Sequence, residues 1–472
     1  MFLSVLLSMV APTEAAGFYF TGVGPQAMGR GGAFVAGADD LTSMYHNPAG
    51  LIRINGLEVN VALASVGQNV MFDRADELLV DETGATIGEL DFSPVENEAP
   101  ALVIPSFGVA HSYDEGLLSD TVFAFGFFTP YGPSNEFDAN GAQRYTLTDS
   151  LLLQASAGPA FATKVHDWIT IGGGLYWSFQ HLSEGLAINV YSPFELEESA
   201  TDTANYDVSY AISATDTFEL TWNAGMLIEP PSGLWSLGLF YQPATEYDAV
   251  GSIDADFSNH EFYAPSDPGD TQLIIEQFAV DEEVSVAVNM PAIARAGLAI
   301  RPIPALELEA TVVWEGWSVV ESIVVEGLDL IVKTTLGDVP ITGEVELPAG
   351  YRDTLSYRFG GDYEISDMFT VRGGFFTEQS AVPSQSLGVN VIDSDKTGYG
   401  LGASIRTGAL TVDLGYGRTQ FEPLDVTDSE VEAIEVHGIS GVVRDTGKVV
   451  GNGAYESSID MASIGFTWAF GG

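Results

Sequence analysis

The sequence of 472 residues contains no cysteine and no long apolar run beyond its first residues. The lack of cysteine excludes disulfides, thiol catalysis and thiolate metal sites, although it is compatible with any cellular compartment. A transmembrane helix needs about 18 consecutive apolar residues, so a bundle of such helices is excluded as well. Hydrophobic residues nevertheless make up 46% of the chain, and they must therefore be interleaved with polar ones.

Basic side chains are scarce, with 16 Lys and Arg against 66 Asp and Glu and a formal net charge of −50. This balance excludes nucleic acid as a partner, because binding to phosphates requires the opposite sign. Two interpretations of the acidity stay open, namely a solvated acidic surface and a dedicated Ca²⁺ site. Since the sequence contains no complete Ca²⁺-loop motif, we predict neither a metal site nor a cofactor.

The first residues predict export from the cytoplasm. Phe2 to Val10 form a short apolar core, and small residues follow as far as Ala16. This order is typical of a secretory signal peptide and its cleavage region. We therefore assign residues 1–16 to a signal peptide and expect the mature chain to begin near Gly17.

Alternation of apolar and polar residues is the most informative pattern in the rest of the chain. Near the C-terminus, Ile464, Phe466 and Trp468 share one face of a predicted strand, while Ser463 and Gly465 lie on the other. A barrel strand in a membrane shows this period of two over about ten residues, with apolar side chains toward lipid. The same pattern recurs along the chain and predicts fourteen strands. We place them near 56–66, 101–112, 120–130, 152–165, 168–182, 217–229, 234–246, 291–302, 305–318, 354–365, 368–378, 397–407 and 409–421 and at the C-terminal end.

Short and long connections alternate between these predicted strands. The short ones are rich in Gly and Pro, as in Glu229–Gly233 and Thr407–Ala409. The long ones, several of them acidic, are 67–100, 131–151, 183–216, 247–290, 319–353, 379–396 and 422–458. An even strand count with short turns on one side is typical of outer-membrane barrels with periplasmic termini. We predict an all-β fold, a 14-stranded antiparallel transmembrane barrel over residues 56–472, in the outer membrane.

Residues 17–55 precede the first strand and show little alternation. They are rich in Gly and Ala and end in a stretch that contains Asn47-Pro48-Ala49. Small side chains allow close packing of the backbone, and Gly permits turns of either hand. We therefore predict that this segment folds into the barrel mouth as a hatch.

Several short motifs, in order along almost the whole mature chain, resemble the FadL/TodX family of outer-membrane transporters for long-chain fatty acids and other hydrophobic compounds. The motifs are Ala16-Gly17-Phe18, Gly29-Arg30-Gly31, Ala38-Asp39-Asp40, Asn47-Pro48-Ala49, Thr129-Pro130-Tyr131-Gly132, Arg144-Tyr145, Trp314-x-x-Trp317-Ser318, Arg372-Gly373-Gly374, Val382-Pro383 and Asp393-Ser394-Asp395.

The resemblance implies passive uptake of hydrophobic molecules through a barrel whose N-terminal hatch carries Asn47, Pro48 and Ala49. It also implies an internal apolar site near the mature N-terminus, for which Phe18 and Phe20 are our ligand-binding residues. Cargo would leave sideways beside an inward kink in the third strand, which we place at Gly126 because Gly often marks a bend in a strand. For each of these residues a purely structural role stays open.

The residues that hold a fatty-acid carboxylate in this family have no recognisable match here. Arg295, Arg358 and Arg372 are predicted to point into the lumen, but so are Glu307 and Glu309. These five charges favour a network of ion pairs over a carboxylate site. Neutral cargo, such as aromatic or aliphatic hydrocarbons, becomes an alternative to fatty acids.

Two other functions stay open, an outer-membrane barrel enzyme (lipase or protease) and a general diffusion porin. The six histidines share no catalytic motif such as Gly-x-Ser-x-Gly, so we predict that the protein is not an enzyme. A porin would lack the hatch. The expected partners are hydrophobic small molecules, outer-membrane lipids and lipopolysaccharide, and the expected state is a monomer.

Overall fold

The computed structural model describes residues 22–80, 85–113, 115–132, 134–191, 207–256, 275–279, 284–320, 322–334, 337–348, 350–437 and 443–470. The predicted signal peptide, and the predicted ligand-binding residues Phe18 and Phe20, lie outside them.

Fourteen antiparallel strands form a closed barrel. They are β1 (Leu57–Arg74), β2 (Leu102–Tyr113), β3 (Thr121–Tyr131), β4 (Asp149–His166), β5 (Ile169–Tyr191), β6 (Asp207–Ile228), β7 (Trp235–Gln242), β8 (Ile293–Ile303), β9 (Leu306–Glu315), β10 (Thr354–Ser366), β11 (Phe369–Glu378), β12 (Lys396–Thr407), β13 (Leu410–Phe421) and β14 (Gly453–Phe470). The barrel closes where β14 pairs with β1, from Leu57 opposite Phe470 to Arg74 opposite Gly453.

The predicted fold class and number of strands are confirmed. Most strand boundaries lie within a few residues of the prediction, but several strands reach further into the long connections. β6 begins at Asp207 instead of residue 217, and β1 continues to Arg74 instead of residue 66. The reason is that the extensions pair with their neighbours, as β6 does with β5 from Asp207 onward. Their backbone groups are thereby satisfied outside the predicted spans.

The long connections are not simple loops. They contain further strands, several of which pair as hairpins above the wall. These strands are Glu77–Val80, Thr86–Leu90, Val95–Glu96, Ser134–Glu136, Thr245–Asp256, Ile275–Ala279, Val284–Met290, Ser322–Thr334, Gly337–Pro348, Leu424–Val426, Glu432–His437 and Val443–Val449.

The short connections turn tightly, as their composition predicts. Gly233 and Gly408 have φ angles of 62° and 58°, in the left-handed region that suits glycine. The long-connection side and the short-turn side of the barrel are therefore distinct.

The outer face of the barrel is apolar. On β3, Phe123 and Phe125 are 44% and 47% exposed, whereas Ala124 between them is 7% exposed. Each of the fourteen strands carries at least one large exposed hydrophobic side chain. A continuous apolar band of this kind is typical of a surface that faces lipid. Among the described residues no helix has the length and apolar character that crossing a membrane requires.

Residues 22–55, here called the N-terminal segment, lie inside the barrel. The segment contains helix α1 (Pro25–Gly29), helix α2 (Ser43–His46) and a 3₁₀ helix (Pro48–Arg53). Helix α1 contacts β11 to β14, and the 3₁₀ helix contacts β3 to β6 on the other side. The 3₁₀ helix starts where Asn47 Oδ1 accepts a hydrogen bond from the Ala49 backbone N–H, with Pro48 in the first helical position.

Candidate functional site in the lumen

Glycines on the inner wall let the N-terminal segment approach the strands backbone to backbone. A Cβ atom at Gly374 would lie 2.0 Å from the Arg30 carbonyl oxygen, and one at Gly238 would lie 2.4 Å from the Val35 carbonyl oxygen. Only glycine fits at these positions, because any side chain would collide with the backbone of the segment. The same holds at other wall positions that contact the segment. The other wall glycines of this kind include Gly172, Gly225, Gly360, Gly400 and Gly415.

The Asn47-Pro48-Ala49 motif holds the segment against β5 and β6. The Asn47 side-chain amide donates to the Val35 carbonyl at 2.8 Å and to the Met226 carbonyl at 3.2 Å. One bond stays within the segment and the other reaches β6. Gly172 and Gly225 give Pro48 the space it occupies against the wall. The motif thus connects residue 35 of the segment, residues 47–49 and strand β6 to one another.

Arg30 is the centre of a buried charge cluster. Its guanidinium is fully buried and donates to Glu307 at 3.0 Å, to Glu309 at 3.0 Å and to Asp362 at 2.7 Å. Burial alone would lower the pKa of Arg30, but Asp362, Glu309 and Glu307 outweigh it and raise that pKa above its ordinary value. A permanent cation on the segment is therefore held by three acids on β9 and β10.

Glu309 also binds the backbone of the segment. Its carboxylate accepts N–H groups from Val35 at 2.7 Å, Ala36 at 2.9 Å and Gly37 at 2.8 Å. Charged acceptors make hydrogen bonds about twice as strong as neutral ones. Residues 35–37 are therefore fixed to β9 by one side chain.

The charge cluster continues along the wall. Arg372 pairs with Asp362 at 3.1 Å and donates to Gln26 of the segment at 3.0 Å. Arg301 pairs with Glu307 at 2.6 Å. The structure thus brings the predicted residues Arg372, Glu307 and Glu309 together around the segment.

Sequence reasoning missed Arg30 as the partner of these acids. The available signal was an arginine inside a Gly-Ala segment that otherwise has few charges, in the motif Gly29-Arg30-Gly31. Such a charge requires an acid across the lumen once the segment is buried.

Arg295 and Arg358 lie at other points of the inner wall. Arg295 donates to the Tyr45 carbonyl at 2.8 Å, and its guanidinium lies over the rings of Tyr45 and Phe240. Arg358 pairs with Glu378 at 3.1 Å, and both side chains are buried. Of the five predicted lumen charges, Glu307, Glu309 and Arg372 therefore belong to the cluster around the segment. Arg295 and Arg358 each lie at a separate site.

Two titratable groups of the segment have shifted pKa values. Burial, followed by the charge of Arg295, lowers the pKa of His46 to about 3, so its ring is neutral and its Nε2 lies 2.9 Å from the Val23 carbonyl. Burial, followed by the charge of Asp39, raises the pKa of Asp40 to about 7.

The third strand loses its regular register a few residues after Gly126. Gly126 is in regular register with Gly108 on β2 and Gly158 on β4. The register with β4 then shifts between Phe128 and Tyr131, where four successive residues are buried. Pro130 lies in this stretch and has no N–H to donate to a ladder. The kink at Gly126 itself stays a prediction.

Gly126 has a contact of its own with the N-terminal segment. A Cβ atom there would lie 2.9 Å from the Met44 sulfur. A larger residue at this position would displace the Met44 side chain, whether or not the strand bends there.

The hydrogen-bonded ladder between β2 and β3 ends next to this irregular stretch of β3. The two strands pair from Tyr113 opposite Thr121 to Phe107 opposite Phe127. Beyond that point, described residues 102–106 of β2 pair with β1 but have no partner on β3. The backbone ladder is thus interrupted between residues 102–106 and 128–131, and this stretch is here called the opening.

A narrow apolar cavity lies behind this opening. Val23 and Met28 of the segment form one side of it, and Ile104 on β2 and Thr129 on β3 form another. Its complete lining is Gly22, Val23, Gly24, Met28, Ala64, Val66, Ile104, Ser106, Thr129, Met461 and Ser463. The lining contains no charged residue, so the cavity suits an apolar ligand.

Comparison with known proteins places these features in a family. Residues 6–456 match a family model described as outer membrane protein transport protein (OMPP1/FadL/TodX). No curated protein matches the sequence.

Solved structures of similar fold cover nearly the whole chain. A FadL homologue from Pseudomonas aeruginosa is 18% identical with a TM-score of 0.73, over 97% of this chain and 100% of its own. The toluene transporter TbuX from Ralstonia pickettii is 16% identical with a TM-score of 0.62, over 96% of this chain and 99% of its own. The toluene transporter TodX from Pseudomonas putida is 14% identical with a TM-score of 0.62, over 96% and 99%. At these identities the likeness shows the fold.

Proposed function

The chain belongs to the outer membrane protein transport protein family (OMPP1/FadL/TodX), and from this premise we propose that it passes hydrophobic molecules inward passively and releases them sideways into the membrane. Its location as an outer-membrane β-barrel and its role in uptake of hydrophobic compounds follow from the family. The route, the direction and the cargo are our proposal.

The observation that carries the proposal is the opening between β2 and β3 in front of an apolar cavity. Each CH₂ group removed from water contributes about 0.8 kcal/mol, so an apolar molecule gains free energy on entering the cavity and again on entering lipid. No energy source is needed for such a path. Residues 128–131 are all buried and lie where β3 no longer pairs with β2, and Thr129 among them lines the cavity.

The hatch function of residues 17–55 is part of the proposal. The N-terminal segment contacts opposite sides of the inner wall, which supports its role in closing the lumen to water. Phe18 and Phe20 precede Gly22, a lining residue of the cavity, by a few positions. We propose that these two aromatic rings contact the cargo.

Two toluene transporters among the similar structures favour neutral cargo of the hydrocarbon class. The ion pairs that occupy Arg30, Arg358 and Arg372 support the same choice. A fatty-acid carboxylate would have to displace an acid already bound to each of them. The second candidate class, long-chain fatty acids, is tested in the same experiment.

A reversible crosslink across the opening tests the route. The natural chain has no cysteine, so Ser106→Cys with Thr129→Cys introduces the only two thiols, one on each side of the opening. A short bis-methanethiosulfonate should join them and stop uptake of radiolabelled toluene and dodecanoate by Gram-negative cells that lack their own transporter. Reduction should restore uptake.

The matched control places the thiols where β2 and β3 already pair. Ala110→Cys and Ala124→Cys are direct partners in the ladder, so their crosslink leaves the opening free. Uptake should persist in the crosslinked control. Full uptake by the crosslinked Ser106/Thr129 variant would disprove lateral release, and no uptake of either cargo by the unmodified protein would disprove transport.

A further inference from the structure

A second polar group of lumen residues lies beyond the N-terminal segment, toward the long connections. The Tyr176 hydroxyl on β5 marks the edge of the segment, because it donates to the Met44 carbonyl at 2.9 Å. Further along the inner face of β5 lies Gln180, directly opposite Gln154 on β4. We call Gln154 and Gln180 the amide pair.

The amide pair is buried but incompletely hydrogen-bonded. Gln154 is 4% exposed, and its NH₂ group donates to the Tyr247 hydroxyl at 2.7 Å, while its carbonyl oxygen has no partner among the described residues. Gln180 is 0% exposed, and neither its NH₂ group nor its carbonyl oxygen has a partner there. Buried side-chain polar atoms are hydrogen-bonded in the large majority of cases, so exceptions require an explanation.

The amide pair lies between an apolar row and a hydroxyl row of lumen-facing residues, the latter formed by Ser156 and Ser178. Leu152 and Leu182 are opposite one another in the next lumen-facing row, and both are 3% exposed. Tyr131, at the irregular end of β3, is opposite Gln154 on the other side. The pair therefore lies beside the strand that bounds the proposed exit.

The chemistry of the pair suits an uncharged head group. A glutamine amide offers two N–H donors and one carbonyl acceptor, which match a hydroxyl or a carbonyl oxygen. A hydrocarbon cannot form these bonds.

A carboxylate head group is disfavoured by the acids around the pair. Asp216 on β6 is opposite Gln180. Glu184, further along the lumen face of β5, is 5% exposed, and its Oε1 has no partner among the described residues. A further negative charge in this region would lose hydration, and no Lys or Arg of the described residues is opposite the pair in the ladders of β4 and β5.

We propose that Gln154 and Gln180 bind the uncharged, oxygen-bearing head group of an amphiphilic cargo, such as a long-chain alcohol, on its way to the apolar cavity. The proposal rests on the proposed function and extends its neutral cargo from hydrocarbons to uncharged amphiphiles. It assigns to the amide pair the role of orienting the cargo, with the hydrocarbon tail toward the segment.

The test compares three ligands of one chain length on the full protein in lipid nanodiscs. Radiolabelled 1-dodecanol, dodecane and dodecanoate are bound at equilibrium, with empty nanodiscs subtracted. The unmodified protein should bind 1-dodecanol more tightly than dodecanoate. Gln180→Leu should weaken 1-dodecanol binding about tenfold, the loss expected for about one hydrogen bond, and leave dodecane binding unchanged.

Ser178→Ala is the matched control, since Ser178 lies on the same face of β5 but is bonded to Ser156 and Thr221. It should leave the preference for the alcohol intact.

Two results would overturn the proposal while transport stands. One is unchanged 1-dodecanol binding in Gln180→Leu, which would leave the pair a role in binding water only. The other is an equal loss for 1-dodecanol and dodecane, which would indicate packing. If the unmodified protein binds none of the three ligands and also fails the uptake assay, the proposed function itself is wrong.

Discussion

At the scale of single residues, the burial of a charged side chain decides how much its ion pairs contribute to the stability of the fold. Arg30 is fully buried and faces three carboxylates, whereas Arg418 and Asp460 form a pair in which both side chains are about a third exposed. Removing one partner of a buried pair costs about 3–5 kcal/mol, because the other charge stays buried without compensation. An exposed pair contributes about 0–1 kcal/mol.

Arg30→Met should therefore destabilise the protein strongly. We expect the free energy of unfolding to fall by about 3–5 kcal/mol, since Glu307, Glu309 and Asp362 lose their shared cation. Urea unfolding in detergent, followed by tryptophan fluorescence, measures the change. Arg418→Met is the matched control and should change it by less than about 1 kcal/mol. Equal effects of the two substitutions would show that the buried cluster does not fasten the segment.

At the scale of elements, the inner wall is shaped to the backbone of another part of the chain. Gly374 and Gly373 are neighbours on β11 with opposite environments. A Cβ atom at Gly374 would meet the Arg30 carbonyl, whereas one at Gly373 would have no neighbour within 4 Å. β11 thus has space for a side chain on its outer face at Gly373 but has none on its inner face at Gly374.

Gly374→Ala should destabilise the barrel while Gly373→Ala should not. Overpacking of a tight contact costs about 1–3 kcal/mol, and a contact with backbone cannot be relieved by a side-chain rotation. Alanine at Gly373 gains β propensity at no steric cost. The melting temperature, read from the shift in electrophoretic mobility on heating, should fall only for Gly374→Ala. A larger fall for Gly373→Ala would contradict the inward orientation of Gly374.

The strands were predictable because apolar and polar residues alternate with a period of two along each of them. The pattern at Ile464, Phe466 and Trp468 needs no knowledge of distant contacts. The extension of β6 back to Asp207 was not predictable, because it depends on pairing with Asn189 across a long connection. The irregular register of β3 after Phe128 depends likewise on its pairing with neighbouring strands, which the sequence of β3 alone does not show.

The site was predictable only in part, for the same reason. Glu307, Glu309 and Arg372 could be assigned to the inner face from alternation alone. Their partner Arg30 lies hundreds of positions away and joins them only when the segment is inside the barrel. The amide pair was not predictable, because no motif marks it. Only the strand register and the burial of the two glutamines bring them together as a possible site.

At the scale of the whole molecule, the contents of the lumen distinguish this barrel from an open pore. The N-terminal segment reaches strands on opposite sides, and most of its side chains are buried. Water-filled channels need a continuous polar passage.

The unmodified protein should conduct almost no ions in a planar bilayer. Arg30→Met should show frequent openings, because the segment loses its main attachment to β9 and β10. Arg418→Met should remain silent. Single-channel recording at symmetrical salt measures all three, and steady conductance by the unmodified protein would favour a general diffusion porin.

The seam between β14 and β1 imposes an order on assembly. These two strands pair along their full length although one begins the barrel and the other ends it. The cylinder consequently cannot close until its last strand has been delivered to the membrane. The acids that bind Arg30 lie on β9 and β10, late in the chain, so the Arg30 end of the segment gains these ion pairs only after the strands that contact its 3₁₀ helix have been made. Closure of the barrel and completion of the Arg30 charge cluster are thus both late events.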